Sequence, residues 1–332
     1  MADIEVINVS KLYKIPKRES GFIGTVKTLF TNEYDYIEAL NNISFTANKG
    51  DAIGILGMNG AGKSTLTKLL CGIIEPKEGK ILIEGRNPFN KDNDFLKKIT
   101  LVSGNKSQMN YDLSCYDNFL FLKGIYDLDY NQFKTILTDM ADKLGCTKLF
   151  NKQVRSLSFG ERIKTEIIGS LLHNPQYIFL DEPTIGLDVK SQFELRNFLK
   201  EYSINNEKIL IITSHNLTDI AELCNKILLI DSGNMRYFGS IEEFCNKYNS
   251  KRKIELTIKS SNSINKIYSI LNELVPGQFE FDNNIVSILI ESHLGLELSK
   301  KLLNEMEHDI EDIKILNFSI EDIIRNRLLV ND

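Results

Sequence analysis

The stretch "DAIGILGMNGAGKST", residues 51–65, decides the fold. Its first part, "DAIGIL" (51–56), is short and almost entirely apolar, which is typical of a strand buried on both faces of a sheet. A glycine-rich loop follows and leads into a helix pattern that begins at Lys63. A strand, a G-x-x-x-x-G-K-[ST] loop and a helix in this order are typical of a P-loop, whose main-chain N–H groups surround phosphate oxygens. The stretch therefore predicts an α/β domain that binds a nucleotide.

The residues of this loop have separate chemical tasks. Its glycines let the main chain curve around phosphate oxygens without Cβ clashes, and the helix that follows adds free N–H groups and its dipole. Lys63 is expected to reach the β- and γ-phosphates, and the Ser64 hydroxyl to coordinate Mg²⁺. We therefore predict a site for a nucleotide and Mg²⁺ formed by Gly57, Met58, Asn59, Gly60, Ala61, Gly62, Lys63, Ser64 and Thr65.

The pattern around the loop indicates the rest of this domain. Short apolar runs alternate with helical patterns such as 63–70 and 190–202, which predicts a mostly parallel sheet. These runs are "ITLV" (99–102), "YIFL" (177–180), "KILIIT" (208–213) and "KILLI" (226–230). The runs "IEVINVS" (4–10) and "NISFTAN" (42–48) alternate polar and apolar at period 2, as in an antiparallel β-subdomain. Residues 112–172 have almost no strand pattern, so we expect a helical insertion there.

After residue 248 the pattern changes, and residues 249–332 are predicted to form a separate small α+β domain. The expected order is strand, helix, a hairpin turned at 282–284, helix, strand and a last helix over 319–329. Without that last helix the order is β-α-β-β-α-β, which is ferredoxin-like. We expect this domain to regulate the protein or to stabilise a dimer.

Composition excludes several classes of protein. Positive and negative residues nearly balance, 40 − 45 = −5, so no overall charge favours nucleic acid. The five cysteines are scattered without a CxxC pair and are expected to be reduced thiols. The N-terminus lacks the features of a signal peptide, and no window of about 18 apolar residues predicts a membrane span. A role at a membrane therefore requires a separate partner.

Two acids and a histidine are predicted at the carboxyl edge of the sheet, where open α/β folds bind ligands. The strand in "YIFLDEPT" (177–184) ends in Asp181 and Glu182. Asp181 is expected to hold Mg²⁺, and Glu182 to polarise the attacking water. His215 follows the strand in "LIITSHN" (210–216) and can bridge the γ-phosphate and Glu182. We therefore predict Glu182 and His215 as catalytic residues.

A second loop, "LSFGER" (157–162), also precedes a helix. The spacing from Ser158 to Glu161 is that of a capping box, and an apolar stripe over Ile163–Leu172 follows it. A well-capped helix explains the loop by itself. However, free N–H groups at a helix N-terminus could also complete a phosphate site, and this loop lies on the helical insertion rather than beside its own P-loop.

The motifs "GMNGAGKST", "LSFGE", "FLDEPTIGLD" and "TSH", in this order, resemble the nucleotide-binding subunit of ABC transporters over roughly residues 1–245. The phrase "LLHNPQYIFLDEPTIGLDV" (171–189) is most similar to the bacterial ABC-2-type exporter branch, which includes multidrug and viologen exporters. The resemblance implies a P-loop NTPase of the ABC type that hydrolyses ATP. It also implies separate permease subunits and a peripheral location on the cytoplasmic side of the plasma membrane.

The resemblance assigns further residues to the site. "LSFGE" is the signature motif, in which Ser158, Gly160 and Glu161 face the ATP of a second ABC subunit packed head to tail. The D-loop ends at Asp188. Tyr13 is similar to the aromatic residue that stacks on adenine, although a tyrosine at a strand end would look the same.

The chain departs from the family pattern at two places. The Q-loop glutamine falls near Asn105, and Gln108 is the other candidate; Glu161 stands where the common signature has glutamine. The branch also has an extra segment, here about residues 15–37, which is either a basic contact for the inner leaflet or permease or a loop over the β-subdomain. The alternative function is a soluble ABC ATPase without a permease, of the ribosome-associated or DNA-repair type. A polysaccharide exporter differs only in its substrate.

Overall fold

The computed structural model describes residues 2–16, 34–103, 107–205, 207–248, 251–259, 264–291, 294–306 and 308–317. Asn105, most of the extra segment at 15–37 and the predicted last helix lie outside these residues. The chain divides into two compact units, Met1–Ser240 and Ile241–Asp332. The boundary predicted after residue 248 falls one helix later than this division.

The first unit contains a long mixed sheet and the helices packed around it. Its described strands are β1 (Ile4–Pro16), β2 (Tyr34–Ala47), β3 (Ala52–Leu56), β4 (Glu78–Ile83), β5 (Ile99–Ser103), β6 (Tyr177–Asp181), β7 (Ile209–Thr213), β8 (Lys226–Asp231) and β9 (Asn234–Ser240). Its described α-helices are α1 (Lys63–Leu70), α2 (Asn93–Leu96), α3 (Cys115–Tyr126), α4 (Tyr130–Lys143), α5 (Phe159–Leu171), α6 (Val189–Asn205) and α7 (Leu217–Leu223).

The strand order β4-β1-β2-β9-β8-β3-β7-β6-β5 places the predicted motifs at one edge of the sheet. Strand β3 pairs in parallel with β7 and β8, and β6 pairs in parallel with β5 and β7. Thr213 is opposite both Ile55 and Asp181 in this register. The carboxyl ends of β3, β6 and β7 therefore meet, and the loops that follow them are neighbours.

The core explains why these strands are short and apolar. Every residue of β3 and of β7 is buried, as expected for parallel strands covered on both faces. Leu66 and Leu70 of α1 belong to the same buried cluster as Ile53 and Phe179. Burying a side chain of this size contributes about 1.5–3 kcal/mol, so the core holds the P-loop strand and helix in place.

The antiparallel part of the sheet is larger than predicted. Strand β1 pairs with both β2 and β4, and its pairing with β2 continues to Pro16 opposite Tyr34. The described ends of the extra segment are therefore strands. Strands β4 and β9 were not predicted, because their sequences "EGKILI" and "NMRYFGS" interrupt the apolar pattern with glycine and polar residues.

The insertion between β5 and β6 is helical over its described residues. It contains α3, α4 and α5, together with short 3₁₀ helices at Thr147–Leu149 and Val154–Ser156. His173 follows α5; its ring stacks on Tyr126 of α3 with centroids 3.8 Å apart, and its Nε2 lies 3.2 Å from the Ile99 carbonyl of β5. Burial lowers the pKa of His173 to about 4. The neutral ring therefore joins the insertion to the sheet.

The second unit begins with α8 (Ile241–Tyr248) and continues with a small α+β fold. Its further elements are β10 (Lys251–Ile258), α9 (Ile264–Leu274), β11 (Phe279–Asp282), β12 (Ile285–Glu291), α10 (Gly295–Met306) and β13 (Ile310–Asn317). The antiparallel sheet has the order β11-β12-β10-β13. Element order and strand pairing together are ferredoxin-like. Asn283 has a φ of 52° in the turn between β11 and β12.

In the described part of the chain, none of the helices combines the length and the apolar character needed to cross a bilayer. All five cysteines are free thiols.

Candidate functional site

The P-loop connects β3 to α1 in a conformation that requires glycine. Gly62 has a φ of 109°, and a Cβ on it would lie 2.4 Å from the Ala39 carbonyl oxygen. No side chain among the described residues caps α1. The N–H groups of the first helical turn have no partner within the helix, so this end of α1 can bind an anion.

Lys63 lies inside the curve of the loop. Its Nζ donates hydrogen bonds to the carbonyls of Gly57 at 2.7 Å and Met58 at 3.1 Å, and the residue is only 6% exposed. Burial lowers the pKa of Lys63, while the nearby carboxylates of Glu182 and Asp181 act in the opposite direction. The loop thus holds a desolvated ammonium group, whose attraction to a phosphate is stronger than it would be in water.

The start of α1 and the end of β6 bring oxygen atoms together. Asp181 Oδ1 accepts hydrogen bonds from Ser64 Oγ at 3.2 Å and from Thr213 Oγ1 at 2.6 Å. A hydroxyl and a carboxylate are hard oxygen ligands, and Mg²⁺ is usually bound by one or two such groups together with water and phosphate oxygens. Ser64 and Asp181 therefore fit a Mg²⁺ ion, with Thr213 orienting the carboxylate.

Glu182 and His215 form a close pair beside these residues. His215 Nε2 lies 2.6 Å from Glu182 Oε1, and the two side chains are 43% and 24% exposed, respectively. Glu182 has a left-handed φ of 54°, and its N–H donates to the carbonyl and the hydroxyl of Thr213 at 3.0 and 3.1 Å. A left-handed conformation costs a non-glycine residue about 1–2 kcal/mol. The hydrogen bonds to Thr213 hold Glu182 in this strained conformation at the carboxyl edge of the sheet.

The signature loop forms its predicted cap. Ser158 Oγ accepts from the Glu161 N–H at 3.2 Å, and Glu161 Oε2 accepts from the Ser158 N–H at 2.9 Å. Lys152 Nζ lies 3.5 Å from Glu161 Oε1. The hydrogen bond from the Ser158 main chain is the largest cause that lowers the pKa of Glu161. Among the described residues, none of the hydrogen bonds of Ser158 or Glu161 reaches the P-loop.

The signature loop packs against the D-loop of its own chain. A Cβ on Gly160 would lie 3.6 Å from Leu187, and one on Gly186 would lie 3.1 Å from the Phe159 ring. Asp188 accepts from the Ser191 N–H at 3.0 Å and from its hydroxyl at 2.7 Å, which lowers the pKa of Asp188. The two loops therefore form one surface, outside the P-loop of the same chain.

Tyr13 and Gln108 occupy the margins of the site. The Tyr13 hydroxyl lies 3.5 Å from Thr65 Oγ1, and Lys11 Nζ is 5.7 Å from the centre of the Tyr13 ring. Tyr13 thus lies beside the first turn of α1. The Gln108 amide donates to the Leu101 carbonyl, so its side chain is folded back onto β5.

Comparison with known proteins identifies the family. Residues 40–185 match the ABC transporter family. The chain is 29% identical over 227 residues to the ABC transporter ATP-binding protein NatA of Bacillus subtilis, which covers 68% of this chain and 91% of NatA. It is 30% identical over 230 residues to the energy-coupling factor transporter ATP-binding protein EcfA2 of Caldanaerobacter subterraneus, which covers 68% of this chain and 80% of EcfA2. The chain belongs to the ABC transporter ATP-binding proteins. It is an ATPase, as its motifs predicted.

Two further likenesses describe this ABC ATPase. It is 27% identical over 223 residues to the linearmycin resistance ATP-binding protein LnrL of Bacillus subtilis, covering 67% of this chain and 71% of LnrL. The dimeric structure of the ATP-binding cassette MJ0796 in a post-hydrolysis state, bound to ADP and Pi, aligns with a TM-score of 0.59 at 21% identity. That alignment covers 72% of this chain and 98% of MJ0796. The predicted fold class is confirmed.

The sequence did not reveal a buried network behind the predicted catalytic residues of this ABC ATPase. Asp219 of α7 bonds to the hydroxyls of Thr184 and Ser214 and to the guanidinium of Arg196. Thr184 and Asp219 are 35 positions apart, and Arg196 and Asp219 are 23 apart. No short-range sequence pattern connects residues so far apart. The sequence hint of this network is that Ser214 directly precedes His215.

Proposed function

We propose that this ABC ATPase is the ATP-hydrolysing subunit of an ABC-2-type exporter and acts on the cytoplasmic face of the plasma membrane with separate permease subunits. The similarity to a linearmycin resistance protein supports export as its task. The phrase "LLHNPQYIFLDEPTIGLDV" is similar to the exporter branch and supports the same assignment.

The observation that carries the catalytic assignment is the cluster in which Asp181, Glu182 and His215 meet the start of α1. In the proposed mechanism the P-loop surrounds the phosphates of ATP and Lys63 binds the β- and γ-phosphates. Ser64 and Asp181 would hold Mg²⁺, which would neutralise charge on the phosphate oxygens.

Glu182 accepts a hydrogen bond from the attacking water and orients it toward the γ-phosphorus. His215, 2.6 Å from Glu182 Oε1, keeps that carboxylate in place. In its neutral form the imidazole has one donor and one acceptor nitrogen, so donation to Glu182 fixes its tautomer. Tyr13 stacks on the adenine beside Thr65. The coupling residue of the Q-loop is Asn105 or Gln108.

The second half of the site is proposed to come from another ABC subunit, identical or related. Ser158 and Gly160 lie on the helical insertion, where Ser158 and Glu161 cap α5 and the loop packs against the D-loop of its own chain. The free N–H groups at the start of α5 and the Ser158 hydroxyl are therefore left for a γ-phosphate held by a partner chain. ATP then joins two subunits head to tail, and hydrolysis separates them.

The variant Glu182→Gln tests this site. Glutamine keeps the shape of the side chain but cannot act as a base, so turnover should fall by about 10²- to 10⁴-fold. ATP binding should persist, and the variant should elute as a dimer in gel filtration with saturating MgATP and as a monomer with ADP. Glu201→Gln, an exposed change in α6, is the control and should behave like the native chain. Normal turnover in Glu182→Gln would contradict the catalytic assignment, and a monomer with ATP would contradict the composite site.

The exporter assignment is tested by purifying the tagged chain from membranes solubilised in detergent. An integral membrane permease should co-purify in fixed stoichiometry, and its addition should stimulate ATP hydrolysis. Isolation with ribosomes and without a membrane protein would favour the soluble ABC ATPase instead.

A further inference from the structure

The strongest unexplained feature of the first unit is a fully buried carboxylate, Asp219, which is 0% exposed. Its Oδ2 accepts hydrogen bonds from Ser214 Oγ at 2.6 Å and from the Thr184 hydroxyl. Its Oδ1 accepts from Arg196 Nη1 at 3.0 Å. A buried charge destabilises a protein unless it is paired and hydrogen-bonded, and here both oxygens have partners.

The two hydroxyls come from the two loops that present the catalytic pair. Thr184 stands two residues after Glu182, at the end of β6, and Ser214 directly precedes His215, at the end of β7. The loops belong to different strands, yet each donates a hydrogen bond to the same oxygen of Asp219. One carboxylate therefore links the Glu182 loop to the His215 loop, in addition to the pairing of β6 with β7.

Arg196 connects this carboxylate to the helix that follows the D-loop. Its side chain is 8% exposed, and its Nε donates to Glu222 Oε2 at 2.7 Å. Four residues earlier on α6, Gln192 Nε2 donates to the carbonyls of Thr184 and Leu187 at 3.4 and 3.1 Å. The start of α6, the D-loop and both catalytic loops thus share one set of hydrogen bonds.

We propose that Asp219 is a positioning residue for ATP hydrolysis, which sets the distance between Glu182 and His215 and ties that pair to the D-loop. It acts through the hydroxyls of Thr184 and Ser214, and a displacement of the catalytic groups by about 1 Å is enough to cost on the order of 100-fold in rate. The proposal rests on the catalytic roles given to Glu182 and His215 above.

The test is Asp219→Asn in the full-length chain, assayed with MgATP. Asparagine has one acceptor oxygen and an NH₂ group with two donor hydrogens, so its NH₂ must face at least one of the three present donors, the two hydroxyls and Arg196. We expect kcat to fall on the order of 10- to 100-fold, with KM for MgATP within about twofold of the native value. Rates are expressed per nucleotide-binding site, titrated with a fluorescent ATP analogue, so that unfolded protein does not count.

Two controls separate position from stability. Glu222→Gln removes the charge of the more exposed partner of Arg196 but keeps an acceptor oxygen, and Ser203→Ala removes a buried hydroxyl of α6 that donates to the Lys200 carbonyl at 3.1 Å. Both should leave kcat within about twofold of the native value, because neither residue bonds to a catalytic loop.

Ser214→Ala tests the same link by itself, so the link is tested even when Asp219→Asn does not fold; the double variant is measured when Asp219→Asn folds. It should lower kcat with KM unchanged, and in the double variant with Asp219→Asn its effect should not add, because both changes break one contact. A folded Ser214→Ala or Asp219→Asn with native kcat would overturn the proposal, as would fully additive losses. Native turnover in Glu182→Gln would instead overturn the catalytic roles on which the proposal rests.

Discussion

Two helices of the ATPase unit begin at predicted phosphate sites, and they begin in opposite ways. Helix α1 starts at the P-loop after a left-handed glycine, without a side-chain cap from the described residues. Helix α5 starts at the signature loop with a complete capping box of Ser158 and Glu161. Both have free N–H groups in the first turn, but only α5 satisfies two donors by itself.

This difference indicates what each helix end needs in order to be stable. The α1 end lies against Lys63 and the acids of β6, where a phosphate can replace the contacts that the lysine now makes with the loop carbonyls. The α5 end has two donors satisfied by its own capping box without a ligand, and it lies beside its own D-loop. A composite site that assembles when ATP binds and separates after hydrolysis therefore combines two kinds of helix end. The α1 end depends on the nucleotide, whereas the α5 end is stable when the partner subunit leaves.

The largest effect is expected at α1, from Lys63→Ala. The change removes the ammonium group that lies inside the P-loop. ATP binding and hydrolysis should therefore fall by at least about 100-fold. Lys68→Ala, at an exposed position in the last turn of the same helix, is the matched control. ATPase rates and binding of a fluorescent ATP analogue measure the effect. Comparable losses in both variants would mean that disruption of helix α1, rather than loss of the Lys63 ammonium group, causes the fall in ATP binding and hydrolysis.

An intermediate effect is expected at α5, from Ser158→Ala. Loss of the cap should lower the unfolding free energy by about 1 kcal/mol. Loss of a hydrogen bond to a charged phosphate, about 1.5–3 kcal/mol, should also lower ATP turnover on the order of 10- to 100-fold.

Ser114→Ala separates these two effects. Ser114 caps α3 in the same way, accepting from the Asp117 N–H at 3.1 Å, but it has no proposed contact with ATP. The midpoint temperature of thermal unfolding should fall by a similar amount in both variants, while ATP turnover should fall only in Ser158→Ala. Equal turnover in the two would contradict the signature role of Ser158.

Local chemistry made much of this fold predictable. The bounds of α1 agree with the expected helix at 63–70, because it is a short amphipathic run with clear ends. The capping box of α5 follows from the spacing between Ser158 and Glu161 alone. The hairpin of the second unit was predictable because Asp282–Asn284 is a polar turn between apolar strands.

The contacts that organise the site were not predictable in this way. The Asp219 network and the packing of Phe159 on Gly186 join residues that are distant in sequence and meet only after the sheet has formed. Strand β4 was missed because it is an edge strand whose first half is polar and exposed. Periodicity reports which face of an element is buried, but it does not report which element covers that face.

The smallest effect is expected from Glu161→Gln, which keeps the shape of the α5 cap and removes its charge. The native carboxylate has a pKa below its usual range, held there by the Ser158 N–H. Its contribution to stability is therefore present above the unfolded pKa of about 4.3 and is lost as the pH falls through the lower folded value. Because its side chain is 34% exposed, solvent screening limits the contribution to about 0.5 kcal/mol at pH 7.

Thermal unfolding at pH 7 and pH 3 measures this contribution, and Asp117→Asn in the cap of α3 is its control. The difference between native and Glu161→Gln should be smaller at the lower pH. Turnover decides whether Glu161 also faces the nucleotide of a partner. Lys152 already offsets its charge at 3.5 Å, so we expect KM for MgATP to stay within about twofold of the native value. A larger fall in KM at low salt that disappears in 1 M NaCl, where the Debye length is about 3 Å, would mean that the carboxylate repels the γ-phosphate across the interface.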